Sequence, residues 1–420
     1  MTKALNHFPP SAADAHRRLQ AFVPKAGSTY AGRRNFDFGP GAHDCVSTLS
    51  PYLRLRLLDE VSVTRAVLAQ HSAAQADKFL SEVFWRTYWK GWMEQRPGVW
   101  LQYPNDLNRL KDDVQTQSGL RARWEQACLG QTGIAAFDAW AKELVETGYM
   151  HNHARMWFAS IWLFTLELPW QLGADFFLRH LLDGDAAVNT LSWRWVAGIQ
   201  TKGKTYLARP DNIAKFTNGR FKDLRGLATY APAFDAPEPP APVDLPKCGP
   251  KPLGARYGLL IHGDDVDTGP LLAEAPAPQA AAYADATAGH SPWQMAPHVG
   301  AFRMAAAQDR LATLPSTPST TPALDSAPAI AEWAARHGLD QVIAPYAPVG
   351  PMADMLRSYQ TLPDAAPLYL IRRPLDTAAW PLARKGFFPF RKNIPDLIAR
   401  FVHDDAQAQS WDQLALDFDA

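Results

Sequence analysis

Residues 147–156 read Thr147-Gly148-Tyr149-Met150-His151-Asn152-His153-Ala154-Arg155-Met156, and residues 182–195 read Leu182-Asp183-Gly184-Asp185-Ala186-Ala187-Val188-Asn189-Thr190-Leu191-Ser192-Trp193-Arg194-Trp195. Around them the apolar residues recur at helical spacing, from Met150 to Thr165, as they do from Asp77 to Met93 and from Ile134 to Thr147. Strand-type alternation is almost absent between residues 10 and 230. A mainly helical first half is therefore expected. The polar residues set into it need an account. His151 and His153 stand two apart, so on a helix they face different ways and make no metal pair. No acidic residue follows Asp183-Gly184-Asp185 at the spacing of a calcium loop. No metal site is expected. Ser47-Thr48-Leu49-Ser50-Pro51 is by itself a helix start with a hydroxyl cap and proline in the first turn. The same unpaired N–H groups also suit a phosphate. Glu82, Trp85, Arg86 and Trp89 fall on one side of a helix, where Glu82 and Arg86 alone would be read as a surface ion pair.

Composition is that of a globular protein, with 47% apolar and 20% charged residues over 420. No apolar run approaches the ~20 residues needed to cross a bilayer, and the N-terminus lacks the apolar core of a secretion signal. Three scattered cysteines, Cys45, Cys128 and Cys248, fit no metal spacing and imply a reduced, cytoplasmic setting. Net charge is zero, yet residues 1–230 hold 28 Lys and Arg against 21 Asp and Glu, and the remainder is acidic. A basic first half suits a polyanionic partner. It is equally consistent with ordinary variation between domains. Eleven of the 15 tryptophans lie before residue 230, as a large helical core would require.

After residue 230 the pattern changes. Residues 231–254 are proline-rich and aperiodic and read as a linker, and Leu314 to Pro328 reads as a surface loop. Tyr257 to His262, Gln341 to Ala344 and Pro367 to Ile371 read as strands. Ile330 to His337, closed by Gly338, and Met352 to Tyr359 read as helices. Alternating strand and helix implies a parallel sheet covered by helices. The expected organisation is a mainly α domain (1–230), a linker (231–254) and a smaller α/β Rossmann-like domain (255–420).

The two quoted stretches, in this order, resemble the TGWMHN-x-x-RM and DGD-x-x-x-N-x-x-x-W-x-W motifs of the DNA photolyase/cryptochrome family. The likeness extends to Ser47-Thr48-Leu49-Ser50-Pro51-Tyr52-Leu53 and to Phe79-Leu80-Ser81-Glu82-Val83-Phe84-Trp85-Arg86. It covers residues 28–222, and residues 256–400 more loosely. Family members place the α/β domain first, so the reversed order here implies a circular permutation. An unrelated Rossmann-like domain is the alternative.

The resemblance implies FAD in the helical domain, touched by Tyr30, Ser47, Thr48, Leu49, Ser50, Phe79, Arg86, Asn152, Arg155, Asp183, Asp185, Asn189 and Trp193. It implies that Arg155 pairs with Asp183. It implies a substrate pocket of Glu82, Asn152, Met156, Trp85 and Trp195, the two tryptophans enclosing a flipped cyclobutane pyrimidine dimer. Relatives acting on (6-4) photoproducts carry histidines at the positions of Asn152 and Met156. An electron relay through Trp193 and Trp170 is implied, while the outer tryptophan has no counterpart near residues 112–118. The three cysteines are too few for the iron–sulfur cluster of some bacterial members. Val46, Ser192 and Arg194 stand where the family commonly has Thr, Gly and Gln, and residues 204–216 follow its pattern only loosely. The implied function is blue-light repair of pyrimidine dimers in DNA by a monomer, with the second antenna chromophore unspecified. The alternative is a cryptochrome-like photoreceptor without repair.

Overall fold

The computed structural model describes residues 3–248, 256–272, 276–314 and 319–403. Regular structure up to Phe216 is entirely helical, as the apolar spacing predicts. The longest helix, Ala73–Glu94, opens with a capping box in which Ser72 and Gln75 satisfy each other's backbone N–H groups. The helix expected from Met150 to Thr165 runs from Asn152 to Ser160 and then widens into a π turn, Ile161–Thr165. Two further helices, Trp170–His180 and Ala186–Val196, are joined by the Asp183-Gly184-Asp185 turn. Asp185 caps the second helix by accepting from the N–H groups of Ala187 and Val188, both at 3.0 Å. The Asn189 amide donates to the Ala174 carbonyl at 2.9 Å and ties the two helices together.

The second half forms a five-stranded parallel sheet in the order β3-β2-β1-β4-β5. The strands are β1 (Tyr257–His262), β2 (Ala280–Ala284), β3 (Ser319–Leu324), β4 (Gln341–Pro345) and β5 (Leu368–Ile371). The three strands expected from sequence are β1, β4 and β5. Strand β3 corrects the surface loop expected from Leu314 to Pro328, of which residues 315–318 lie outside the described residues. Pro322 hid it: proline cannot donate to a ladder, but an edge strand tolerates it. Strand β2 is alanine-rich and gave no β-type signal.

One face of β1, carrying Tyr257, Leu259 and Ile261, belongs to the same hydrophobic core as the helical half. Leu260 and Val342 point the other way, against Ile330, Trp333 and Leu356 on the covering helices Ala327–Arg336 and Pro351–Gln360. The described part of the linker, residues 231–248, has no helix or strand but is strapped down. Phe234 N–H donates to the Ala197 carbonyl at 3.2 Å, Val243 N–H to Gln95 at 2.8 Å, and Arg96 to the Pro240 carbonyl at 3.1 Å. Among the described residues no helix is long and apolar enough to cross a membrane.

The strand order reverses between β1 and β4, and the crevice at their carboxyl ends is where open α/β sheets usually bind ligands. Here the helical half fills it. Arg54, 1% exposed, donates to the carbonyls of Gly184 and Gly263, both at 2.8 Å, and pairs with Asp264 at 2.6 Å. Beside it Arg56 pairs with Asp376 at 2.7 Å, and Val266 N–H donates to the Leu55 carbonyl at 2.9 Å.

Burial alone would raise the Asp264 carboxyl, but Arg54, then His262 and Lys90, hold it down at about 2. Its folded value lies below its unfolded one, so the ionised form stabilises the fold. That contribution is complete above the ordinary aspartate value of about 3.9 and is lost as pH falls toward 2. Arg54→Met is expected to lower unfolding free energy by about 3–5 kcal/mol, the scale of a broken buried pair, and to remove this acid dependence. Denaturant titrations from pH 3 to 7 check both, and an unchanged midpoint at pH 7 would show that Arg54 does not hold the two halves together.

Candidate flavin and substrate site

Glu82 on the helix Ala73–Glu94 and Tyr149, just before the helix Asn152–Ser160, both act on the buried Tyr30, and Arg155 lies over the Tyr149 ring, so these residues share one recess. Arg155 makes a two-point pair with Asp183, Nη1 to Oδ1 at 3.1 Å and Nη2 to Oδ2 at 2.8 Å, and its Nε donates to the Met150 carbonyl at 2.9 Å. Such a fork is strong and directional. The guanidinium lies 5.7 Å from the Tyr149 ring centre, and 23% of the Arg155 side chain remains open to solvent.

Glu82 is exposed, yet burial is the largest influence on its carboxyl and pushes its pKa up, with Arg34 and Lys78 opposing. A group that solvent reaches but protein surrounds stands in a concave part of the surface. Among the described residues Glu82 has no hydrogen-bond or ion-pair partner. In particular, Arg86 does not pair with it, which removes the surface-pair reading. Tyr30 lies close by: burial raises its phenol strongly, and the Glu82 charge raises it further. Asn152 is exposed, and Met156, Trp85 and Trp195 are half-buried.

A second cluster lies behind the first. Asp185 accepts from Arg86 at 3.1 Å, with Lys90 at 3.6 Å and Arg54 at 3.7 Å. Burial would raise its carboxyl, but Lys90, Arg86 and Arg54 together hold it far below the usual carboxylate range. Lys90 is itself brought down to about 8, by burial first, with Asp185 opposing and the neighbouring arginines adding to the shift. Both Asp185 oxygens are thus engaged by the protein. Asn189, 7% exposed, is likewise occupied between helices.

Other residues implied by the sequence are placed less directly. Phe79 is 3% exposed and backs Tyr30, with ring centres 5.2 Å apart. In the Ser47–Ser50 loop the helix Ser50–Leu55 is six residues long, and its cap is Leu49, with no side-chain hydrogen bond. The hydroxyl cap read from sequence does not form. Thr48 adopts φ +50 and its hydroxyl accepts from Arg18 at 2.9 Å. Leu49 is fully buried, and Ser47 and Ser50 are partly accessible.

Trp85 stacks on Phe387 at 3.6 Å and 10°, so the protein's own ring covers one of its faces. Trp195 lies 6.0 Å from Tyr206. Trp193 is 2% exposed and meets the rings of Phe177 at 5.1 Å and Trp162 at 6.1 Å. A Cβ on Gly173 would come within 2.3 Å of it, so glycine is required for that approach. Trp170 stacks on Tyr103 at 5.6 Å. His151 caps the helix start by accepting from His153 N–H, and His153 stacks on Trp157 at 4.0 Å.

Residues 79–226 match the family model described as the FAD binding domain of DNA photolyase. Over these residues the chain carries a DNA photolyase-type FAD-binding domain. Similar curated proteins are named deoxyribodipyrimidine photo-lyase. That of a Synechococcus strain is 31% identical over 203 residues, covering 45% of this chain and 39% of that protein. That of Escherichia coli is 30% identical, covering 48% and 42%. That of Thermus thermophilus is 30% identical, covering 54% and 51%. The match thus spans about half or less of each relative's length. Among solved structures, a class III photolyase from Agrobacterium tumefaciens aligns over 50% of this chain and 43% of its own at 25% identity, TM-score 0.41. A Synechocystis cryptochrome aligns over 50% and 43% at 24% identity, TM-score 0.42.

The residues of this photolyase-type domain fit the cofactor. Arg86 Nε and Lys90 Nζ are buried without a hydrogen-bond partner, and Asn152 and Arg155 present amide and guanidinium groups to the recess. These donors suit a ring edge rich in carbonyl oxygens and ring nitrogens. Sequence reasoning missed Arg54, Lys90 and Phe387. The first was flagged by its charge inside the apolar run Pro51 to Leu58, and the last gave no local signal. Arg155→Leu is expected to weaken FAD retention about tenfold or more, the worth of one charge-assisted bond. The ratio of flavin to protein absorbance after gel filtration reads this out.

Proposed function

We propose that the protein is a flavin-dependent photolyase that splits cyclobutane pyrimidine dimers in DNA, acting as a monomer in the cytoplasm. The reading rests on the match to the FAD-binding domain, and one observation carries it. Glu82 presents an accessible, unpartnered carboxyl inside the recess, one helical turn from Trp85 and Arg86, with its pKa raised by burial. In its protonated form, which a raised pKa carries to higher pH, this carboxyl can donate a hydrogen bond to a pyrimidine carbonyl, where exclusion of water makes it count most. Reduced FAD, when bound, supplies light-driven electron donation, and the chain supplies binding, orientation and proton placement. Trp85 and Trp195 offer flat surfaces for bases swung out of the helix. Asn152 and Met156 complete the wall. Basic charge in the first half supports a nucleic-acid partner, and three unpaired cysteines support a reduced compartment. The order β3-β2-β1-β4-β5 supports reading the trailing domain as the family's α/β domain in permuted position.

A second reading, a blue-light receptor without repair, is favoured by Phe387, which already fills one face of Trp85. Blue-light dimer cleavage on single and double strands separates the two. Absence of cleavage in both the parent protein and Phe387→Ala would leave the receptor.

Glu82→Ala is expected to lower the repair rate about tenfold, the worth of one hydrogen bond in a shielded site, with FAD retained. Glu82→Gln keeps a donor and most of the rate. With the protonated carboxyl as the donor, the parent rate should fall as pH rises through the Glu82 pKa, while Glu82→Gln stays flat. A parallel pH profile for both would remove Glu82 from this role.

For electron supply through Trp193 and Trp170, Trp193→Phe should strongly slow light-driven flavin reduction. The indole that meets Trp193 is Trp162, at 6.1 Å, so Trp162→Phe and Trp170→Phe, followed by transient absorption, decide the onward route.

A further inference from the structure

A cavity of about 760 Å³ opens beside Trp170, between the helix Pro97–Thr116, the π turn Ile161–Thr165 and the proline-rich strap after Tyr230. Its size is that of a small-molecule site. Tyr103 and Trp170, stacked 5.6 Å apart, form one wall, and Phe234 on the strap forms another. The backbone bends sharply at its rim, where Glu167 adopts φ +51 two residues after the π turn. Such irregularities in non-glycine backbone cluster at functional positions.

Arg194 also lines this cavity and is 8% exposed. Among the described residues its guanidinium makes no hydrogen bond and no ion pair, and its Nε is fully buried without a partner. Asp106, another lining residue, is the carboxylate whose charge acts on it, and that carboxylate already accepts from Arg109 at 3.2 Å and Gln171 at 3.4 Å. The Tyr103 hydroxyl is also buried and unpartnered. Its Nη nitrogens are not closed off, so the cost in the empty protein falls on Nε, a donor left buried with no acceptor. An apolar residue would be more stable there, unless an acceptor arrives from outside.

We propose that this cavity binds a planar heteroaromatic molecule whose ring carries a carbonyl beside an N–H. Arg194 donates to the carbonyl oxygen, Asp106 accepts the N–H, and Tyr103, Trp170 and Phe234 enclose the ring. The site is separate from the recess of Glu82 and Arg155 and does not depend on repair activity. Size, aromatic walls and the paired donor and acceptor select this class over a simple anion, which Asp106 and Glu167 would repel.

The test is titration of lumichrome, a fluorescent ring of this kind, into the flavin-loaded protein. Saturable one-site quenching is expected. Arg194→Met should weaken it at least tenfold while leaving the flavin content unchanged. Because the substitution also removes a buried donor with no acceptor, the Tm without lumichrome should rise by roughly 2–4 °C. Glu82→Ala should bind lumichrome like the parent, which separates this cavity from the recess. The proposal is overturned by absence of saturable quenching, by Arg194→Met binding as the parent does, or by a fall in its Tm.

Discussion

The guanidinium of Arg54 is the constraint on which the rest of the structure depends. It is buried where the two halves meet, and it holds the carbonyl of Gly184 on one side and that of Gly263 on the other. Gly184 lies inside the Asp183-Gly184-Asp185 turn, and Gly263 leads out of β1. One side chain therefore fixes the turn that shapes the flavin recess and seals the crevice of the α/β sheet. Buried charges are costly unless acceptors and opposite charges surround them. Arg54 meets that condition with two carbonyls and the carboxylate of Asp264.

The turn divides its two carboxylates between different tasks. Asp183 faces the recess and orients Arg155 at its edge. Asp185 faces inward, caps the following helix and gathers Arg86, Lys90 and Arg54. Both carboxylates are buried, but Asp183 holds a guanidinium that is open to solvent and Asp185 holds groups of the core. The accessible recess is thereby backed by a rigid network, which lets Glu82, Asn152 and Arg155 keep unspent hydrogen-bonding capacity without collapsing onto one another.

The last described part of the chain returns to the helix that carries the site. Arg391 pairs with Asp77 at 2.6 Å, the Tyr88 hydroxyl donates to the Lys385 carbonyl at 2.9 Å, and Phe387 lies on Trp85. A Cβ on Gly91 would come within 2.7 Å of the Trp380 backbone, so this close packing needs glycine. The trailing domain thus shapes one wall of the recess, although its sheet lies far along the chain from the residues it covers.

The sequence alone determined the helical first half, the strand–helix alternation of the second, three of the five strands, and the resemblance that led to the FAD-binding domain. These are local properties: periodicity, caps and motif spacing survive in a linear reading. It misread β3, because proline and threonine look like a loop until the strand is known to lie at an edge, and it passed over β2, because alanine carries no β-type signal. It placed Asp185 and Asn189 at the ligand by resemblance, and the structure adds what the sequence did not show, that the first gathers Arg86, Lys90 and Arg54 and the second holds the Ala174 carbonyl. Only the tertiary structure decided that Arg54 fills the sheet's crevice, that Phe387 covers a face of Trp85, and that Arg194 lies buried without a partner beside Trp170. Each depends on which distant groups meet across the core. Burial and the balance of charges are properties of that meeting, which spacing along the chain does not encode.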